Sequence, residues 1–275
     1  MSEAGGRAAS GASGAVEVRA NDPRRRGSDL QSYVLALADD ALVAAQRTGE
    51  WIAAAPQLEE DVALGNIALD LLGQARSLLS YAGSLEDPAR TEDDLAYFRD
   101  EREFRNVHLV ERPHGDFGVT MARLLLFSTY QHGLYSALCS STDATLAAVA
   151  AKAVKEVDYH RDHARQWVLR LGDGTEESHR RIQACLDAEW PFADELFDAG
   201  HLTTELLESG AAVEPEHLRE AWLRQVRATL DEATLTPPDV PPAVTGGRRG
   251  IHSEHMGYLL AEMQHLARSH PGASW

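Results

Sequence analysis

Apolar residues recur every three or four positions along four long segments of this chain, and that spacing limits its fold more than any other feature. The spacing predicts long helices over residues 29–54, 58–82, 117–138 and 143–171. Shorter helices are predicted near 93–100 and over 175–198, 215–231 and 253–269. No segment alternates apolar and polar residues as a half-buried strand does, so we expect an all-α protein. Four long helices favour a four-helix bundle with additional C-terminal helices.

Three further segments bear on the domain organisation. The segment 117–138 is apolar nearly all round, so we expect that helix at the centre of the bundle. Residues 236–250 contain four prolines, which predict an extended, Pro/Gly-rich crossing segment rather than a helix or a central strand. Residues 1–28 are rich in Gly, Ala and Ser and are expected to be a disordered tail. Residues 29–275 then form one helical domain.

The charge balance limits the kinds of partner. The chain has 26 Lys and Arg against 43 Asp and Glu, which is a net charge of −17. This acidity argues against nucleic acid and an anionic membrane surface. No stretch reaches the ~18 uncharged apolar residues of a transmembrane helix, and no apolar signal-peptide core follows the N-terminal arginines. Cys139 and Cys185 lie in apolar helical patterns, so we expect two buried thiols in a reducing cytoplasm.

A four-helix bundle can hold two iron ions when two helices each supply a carboxylate and the other two each supply Glu-x-x-His. The first long helix offers Asp39 and Asp40 as possible carboxylates. The second has Leu71 and Gln74 where a Glu-x-x-His pair would lie, and leucine has no ligand atom. The fourth keeps His160 but has Val157 three positions earlier. The sequence therefore predicts too few ligands for a pair of irons.

The polar residues of the helices allow two interpretations. Glu156 precedes His160 by one turn, so we interpret these two residues as a polar pair in the core. One true Glu-x-x-His occurs in the last helix, at Glu262 and His265. The alternative is a helical-bundle metalloprotein with an unusual carboxylate and histidine site, built from Asp40, Glu156, His160 and His265.

Two other groups need partners if their helices are buried. A buried guanidinium must be paired, and Arg123 lies in the most apolar helix, with Asp70 and Asp158 as the candidate partners. Asp39 and Asp40 lie in mid-helix, where an aspartate is more often a solvated or hydrogen-bonding residue than a metal ligand, so both interpretations stay open for the two residues.

Four segments of the chain resemble the C-type (PaaC) subunit of the ring-1,2-phenylacetyl-CoA epoxidase family. They are WIAAAPQLEEDVALGNIALDLLGQAR (51–76), KEVDYH (155–160), WVLRLGDGTEESHRR (167–181) and GIHSEHMGYLLAEMQ (250–264). The resemblance covers about residues 29–275 and implies a ferritin-like bundle within a bacterial multicomponent monooxygenase. Such a complex epoxidises the aromatic ring of phenylacetyl-CoA with O2 and NADPH. It also implies that a related A-type subunit holds the di-iron centre, and that the C-type chain is its structural partner.

The resemblance implies specific roles for residues and partners. Degenerate di-iron positions would be Asp40, Leu71, Gln74, Val157 and His160. No catalytic, cofactor-binding or metal-binding residue is then expected in this chain. The implied partners are the A-type di-iron sister subunit in a hetero-oligomer of two plus two, a further small subunit, and a reductase with NADPH, FAD and an iron–sulfur cluster. A contact with CoA is left open, and the local basic clusters that suit it are 180–181 and 248–249.

Overall fold

The computed structural model describes residues 23–273, and every regular element in that range is a helix. The α-helices are α1 (Pro23–Gly49), α2 (Leu58–Ser84), α3 (Glu92–Tyr97), α4 (His108–Glu111), α5 (Phe117–Leu138), α6 (Ala144–Gly172), α7 (Glu176–Glu189), α8 (Thr204–Glu208), α9 (Glu216–Glu232) and α10 (Glu254–Ser269). Short 3₁₀ helices occur at Glu101–Glu103, Trp190–Phe197 and Gly247–Arg249. The predicted all-α fold is confirmed.

The four long helices form the body of the molecule as two hairpins, α1 with α2 and α5 with α6, joined where α2 packs on α6. Helix α5 is buried along most of its length, as its uniformly apolar sequence predicts. Helix α1 is also buried continuously over residues 33–45, although this stretch contains Asp39 and Asp40. Helices α7 and α9 cover α5 and α6, and α10 packs on α3.

The first helix differs from the prediction at both ends. It begins at Pro23, inside the segment that we expected to be a tail, and residues 1–22 lie outside the described range. Proline suits the first turn of a helix because its missing N–H has no partner there. The helix ends at Gly49, and residues 50–57 form a turn in which the buried Trp51 indole donates to the Thr120 hydroxyl at 2.8 Å.

The predicted helix over 175–198 is α-helical only as far as Glu189. Pro191 follows and has no N–H for the helical ladder, so residues 190–197 continue as a 3₁₀ helix. This tighter turn carries Glu195 into the interior, where it is almost fully buried. At the other end, the Thr175 and Ser178 side chains cap α7 reciprocally.

The proline-rich segment crosses the molecule without regular structure from 235 to 246 and then makes one 3₁₀ turn at Gly247–Arg249. Gly250 follows with a φ of 72°, and a Cβ there would lie 2.3 Å from the Arg102 carbonyl oxygen. Glycine is therefore required where the chain turns into α10.

The two cysteines differ from each other in exposure. Cys185 is buried, and burial raises the pKa of its thiol to about 12. Cys139 is exposed, contrary to our expectation, because it follows the last residue of α5 where the chain turns at the surface. Within residues 23–273 no helix has both the length and the apolar character needed to cross a membrane.

Candidate functional site

The five candidate di-iron positions are all buried in the bundle. Leu71 on α2 and Val157 on α6 are completely inaccessible and present only hydrocarbon. Asp40, Gln74 and His160 are also buried, and each is hydrogen-bonded to a different neighbouring side chain. Of these five positions only Asp40, Gln74 and His160 carry ligand atoms, and each of the three is already hydrogen-bonded within the protein.

His160 is paired with Asp70 of α2 rather than with Glu156. Its Nε2 atom lies 3.1 Å from an Asp70 carboxylate oxygen, while Nδ1 is buried without a partner. Burial lowers the pKa of His160, and Asp70 acts in the opposite direction. The ring is thus a neutral imidazole that donates from Nε2. Glu156 instead accepts from Gln74 Nε2 at 3.1 Å and pairs with Lys152 at 3.0 Å, so the expected pair is not formed.

A third polar contact lies further along the same boundary between α2 and α6. The Glu60 carboxylate accepts from the Trp167 indole at 2.7 Å, and His163 Nε2 is 3.1 Å from the same oxygen. Burial lowers the pKa of His163. We call the contacts of Glu60, Asp70 and Gln74 with α6 the α2–α6 seam. The seam joins α2 to α6 through these side-chain contacts.

Asp39 and Asp40 of α1 are bound to arginines from outside the four-helix body. Asp40 accepts from Arg248 Nη2 at 2.7 Å and from the Val107 amide at 2.9 Å. Burial raises the pKa of the Asp40 carboxyl, and Arg248 acts in the opposite direction. Asp39 accepts from both terminal nitrogens of the Arg99 guanidinium, Nη1 and Nη2. Because of these ion pairs neither carboxylate is free to bind a metal.

Arg248 belongs to one of the two basic clusters that the sequence offers for a contact with CoA. It is buried and bonded to Asp40, so it cannot face a ligand at the surface. Arg180 and Arg181 are exposed, and both are paired with Glu177. Arg249 is also exposed, so each of the two clusters has at least one arginine that an anion could reach.

The predicted partners of Arg123 are wrong. Its Nε donates to Glu189 at 3.0 Å, and Arg112 shares the same carboxylate at 2.8 Å. The other nitrogens of Arg123 donate to the carbonyl oxygens of Arg112 and Pro113. Glu189 closes α7, so it reaches α5 only because α7 folds back along that helix. Sequence spacing alone does not indicate this partner.

Two further buried glutamates, Glu195 and Glu111, are not predicted from the sequence, because their partners are backbone amides and side chains far away in the sequence. Glu195 accepts from the amides of His108 at 2.6 Å and Gly247 at 2.7 Å. It therefore ties the 3₁₀ turn before α10 to α4. The only signal in the sequence is a glutamate within the apolar stretch 190–197.

Glu111 joins His108 and His252 in the one group of residues 23–273 whose ligand atoms lie close enough for a metal ion, within 4.8 Å of one another. All three side chains already have partners. His252 Nδ1 is 2.7 Å from Glu111 and its Nε2 is 3.1 Å from the Phe104 carbonyl oxygen. Since both neighbours are acceptors, the ring must donate from both nitrogens and is an imidazolium. The remaining member, His108, has Nε2 at 2.7 Å from the Ile251 carbonyl oxygen.

The pKa values of this pair agree with that geometry. Burial opposes the charge on His252, but the Glu111 carboxylate and the Phe104 carbonyl outweigh it and raise the pKa of the ring. Burial likewise opposes the charge on Glu111, yet His252 and Ser253 together lower the pKa of the carboxyl. The group forms a buried ion pair, and a metal ion bound here would have to displace the proton of His252.

The remaining Glu-x-x-His lies apart from the bundle core. Glu262 and His265 are exposed on α10, whose inward face is carried by Gln264. Asp40, Glu156, His160 and His265 are thus bound to different neighbours or exposed, and they do not form one site. A cavity of about 30 Å³ beside Leu71 has room for no more than a water molecule.

Comparisons with known proteins agree with the resemblance expected from the sequence. A protein-family model described as phenylacetic acid catabolic protein matches residues 6–275. The chain is similar to the C subunit of the 1,2-phenylacetyl-CoA epoxidase of Escherichia coli (strain K12), with 48% identity over 248 residues. That alignment covers 90% of this chain and 100% of the E. coli protein.

Proposed function

The chain belongs to the family of phenylacetic acid catabolic proteins, and from this premise we propose that it is a structural, non-catalytic subunit of a 1,2-phenylacetyl-CoA epoxidase. In this role it holds a ferritin-like sister subunit that contains the di-iron centre. The complex epoxidises the aromatic ring of phenylacetyl-CoA during aerobic phenylacetate degradation.

The observation that carries the proposal is the chemistry at Leu71 and Val157. Both are fully buried hydrocarbons where an iron-binding helix pair presents carboxylates. The nearby groups with ligand atoms are used in internal contacts, His160 with Asp70 and Asp40 with Arg248. With these groups used inside the bundle, the chain acts through its surface, by binding another subunit.

The remaining parts of the complex follow from the same proposal. The sister subunit forms a hetero-oligomer of two plus two with this chain, and a further small subunit joins them. A reductase supplies electrons from NADPH through FAD and an iron–sulfur cluster. The assembly works in the cytoplasm, with neither nucleic acid nor membrane as a partner.

A metal and activity assay with and without the sister subunit tests the proposal. We expect the isolated chain to bind iron only substoichiometrically and to leave phenylacetyl-CoA unchanged. Co-expression with the sister subunit should give a complex that contains iron and, with the reductase, forms the ring epoxide. Two irons in the isolated chain, or no complex with the sister subunit, would contradict the proposal.

A further inference from the structure

Helix α2 carries a stripe of exposed apolar residues on a face that this chain leaves uncovered. We call it the α2 stripe, and its members follow one another at spacings of four, three, four and three: Leu58, Val62, Gly65, Leu69 and Leu72. The four side chains are exposed, with Leu58 at 74% and Leu69 at 65%. Residues at this spacing share one face of a helix, which is the arrangement that packs against another helix.

Beyond Leu72 the same face becomes polar, and the start of α3 contacts it. Continuing at helical spacing, the stripe reaches Arg76, Ser80 and Gly83. Glu92, at the start of α3, accepts from both Arg76 and Ser80. A Cβ on Gly83 would lie 2.0 Å from the Arg90 carbonyl oxygen, so the chain packs directly on the helix backbone there. The apolar character is therefore confined to the half of the face that α3 and the residues before it do not contact.

Gly65 at the centre of the stripe is not explained by the fold of this chain. A Cβ at this position would meet no heavy atom within 4 Å. Glycine within a helix costs about 0.5–1 kcal/mol of stability relative to alanine, and nothing in the described residues offsets that cost. A bare backbone in the middle of an apolar stripe allows a second helix to approach closely.

The charges around the stripe bear on the identity of the partner. Glu59 and Asp61 flank its N-terminal end and are not paired with any cation within the described residues. The chain as a whole has a net charge of −17, so two copies meeting face to face would repel each other. A partner with an apolar helix flanked by basic residues pairs with Glu59 and Asp61 and is not repelled by this acidic chain.

We propose that the α2 stripe docks against one apolar helix of the sister subunit, with basic residues of that helix facing Glu59 and Asp61. The inference rests on the proposed function, because that function supplies the sister subunit. From Leu58 to Leu72 the stripe extends over roughly 21 Å, about four helical turns. The docked helix crosses at Gly65, where the two backbones come closest.

Substitutions in the stripe test this inference in the complex of the two full-length subunits. Leu69→Arg places a charge in the contact and should weaken binding to the sister subunit by at least about 30-fold. Leu266→Arg is the matched control, since Leu266 is 53% exposed on α10, outside the stripe, and should leave affinity unchanged. Gly65→Leu should also weaken binding while the thermal unfolding midpoint of the isolated chain does not fall, because a Cβ at this position meets no heavy atom within 4 Å and leucine is the better helix former.

Cross-linking locates the contact independently. Both lysines of the chain lie on α6, and Lys152 Nζ is 3.8 Å from the position of a Cβ on Gly73, beside the stripe. An amine-reactive cross-linker should join Lys152 to the sister subunit in a Lys155→Arg background. If the unmodified chain binds the sister subunit but Leu69→Arg and Gly65→Leu bind equally well, the inference is wrong. It is also wrong if these variants only convert a self-associated chain to monomers.

Discussion

At the residue scale, buried carboxylates and their partners define the interior of this protein. Asp40 and Arg248 lie far apart in the sequence and are almost fully buried. Among the ion pairs of the described residues, each is the other's only counter-charge. The neighbouring Arg249 is exposed and reaches Asp198 only at 3.5 Å. Two adjacent arginines therefore differ sharply in what they contribute to folding.

We expect Arg248→Met to lower the free energy of unfolding by about 3–5 kcal/mol, because it leaves the Asp40 carboxylate buried and unpaired. Arg249→Met should change it by no more than about 0.5 kcal/mol. Urea unfolding of the two variants measures the difference. Adding Asp40→Leu to Arg248→Met should restore most of the loss. Equal effects of the two single substitutions would refute this account of the pair.

At the element scale, periodicity predicts α2, α5 and α6 to within a few residues because contacts along a helix determine its apolar face. Contacts between helices are not predictable in that way. Helical spacing predicts Glu156, one turn away on the same helix, as the partner of His160, whereas the register of α2 against α6 brings Asp70 to it. The partner of Asp40 comes from the 3₁₀ turn at Gly247–Arg249, whose position depends on the whole crossing segment.

Two glycines of α2 give a matched prediction at this scale. Gly65→Ala should raise the free energy of unfolding of the isolated chain by about 0.5–1 kcal/mol, since a Cβ there meets nothing and alanine is the better helix former. Gly83→Ala should lower it, because the Cβ would overlap the Arg90 carbonyl oxygen at 2.0 Å. Thermal and urea unfolding give both signs, and a loss of stability with Gly65→Ala would mean that this chain itself covers the stripe.

At the scale of the whole molecule, three carboxylates attach the crossing segment and α10 to the bundle. Asp40 holds Arg248, Glu195 holds the Gly247 amide, and Glu111 holds His252 and the Ser253 amide. The third contact includes His252, and histidine, unlike the other residue types in these contacts, ordinarily changes its charge near neutral pH. The attachment of the C-terminal segment is therefore expected to depend on pH.

The direction of that dependence follows from the two pKa shifts. The pKa of His252 is raised above its ordinary 6.5, so its contribution to stability is complete below pH 6.5 and is lost as the pH rises through the folded-state pKa. The pKa of Glu111 is lowered from 4.5, so its contribution is present above pH 4.5 and is lost as the pH falls through its folded-state value. The pair stabilises the protein most between these limits.

We expect His252→Gln to remove this dependence. Other buried histidines such as His160 have lowered pKa values and act in the opposite direction, so the informative quantity is the difference between the unmodified chain and the variant. That difference in unfolding free energy, measured in urea from about pH 4 to pH 9, should be largest near pH 5–6 and should shrink above pH 6.5. His265→Gln, at an exposed position on α10, is the control and should leave the profile unchanged. A difference that stays constant above pH 6.5 would mean that His252 is neutral in the folded protein and that Glu111 holds it by a hydrogen bond alone.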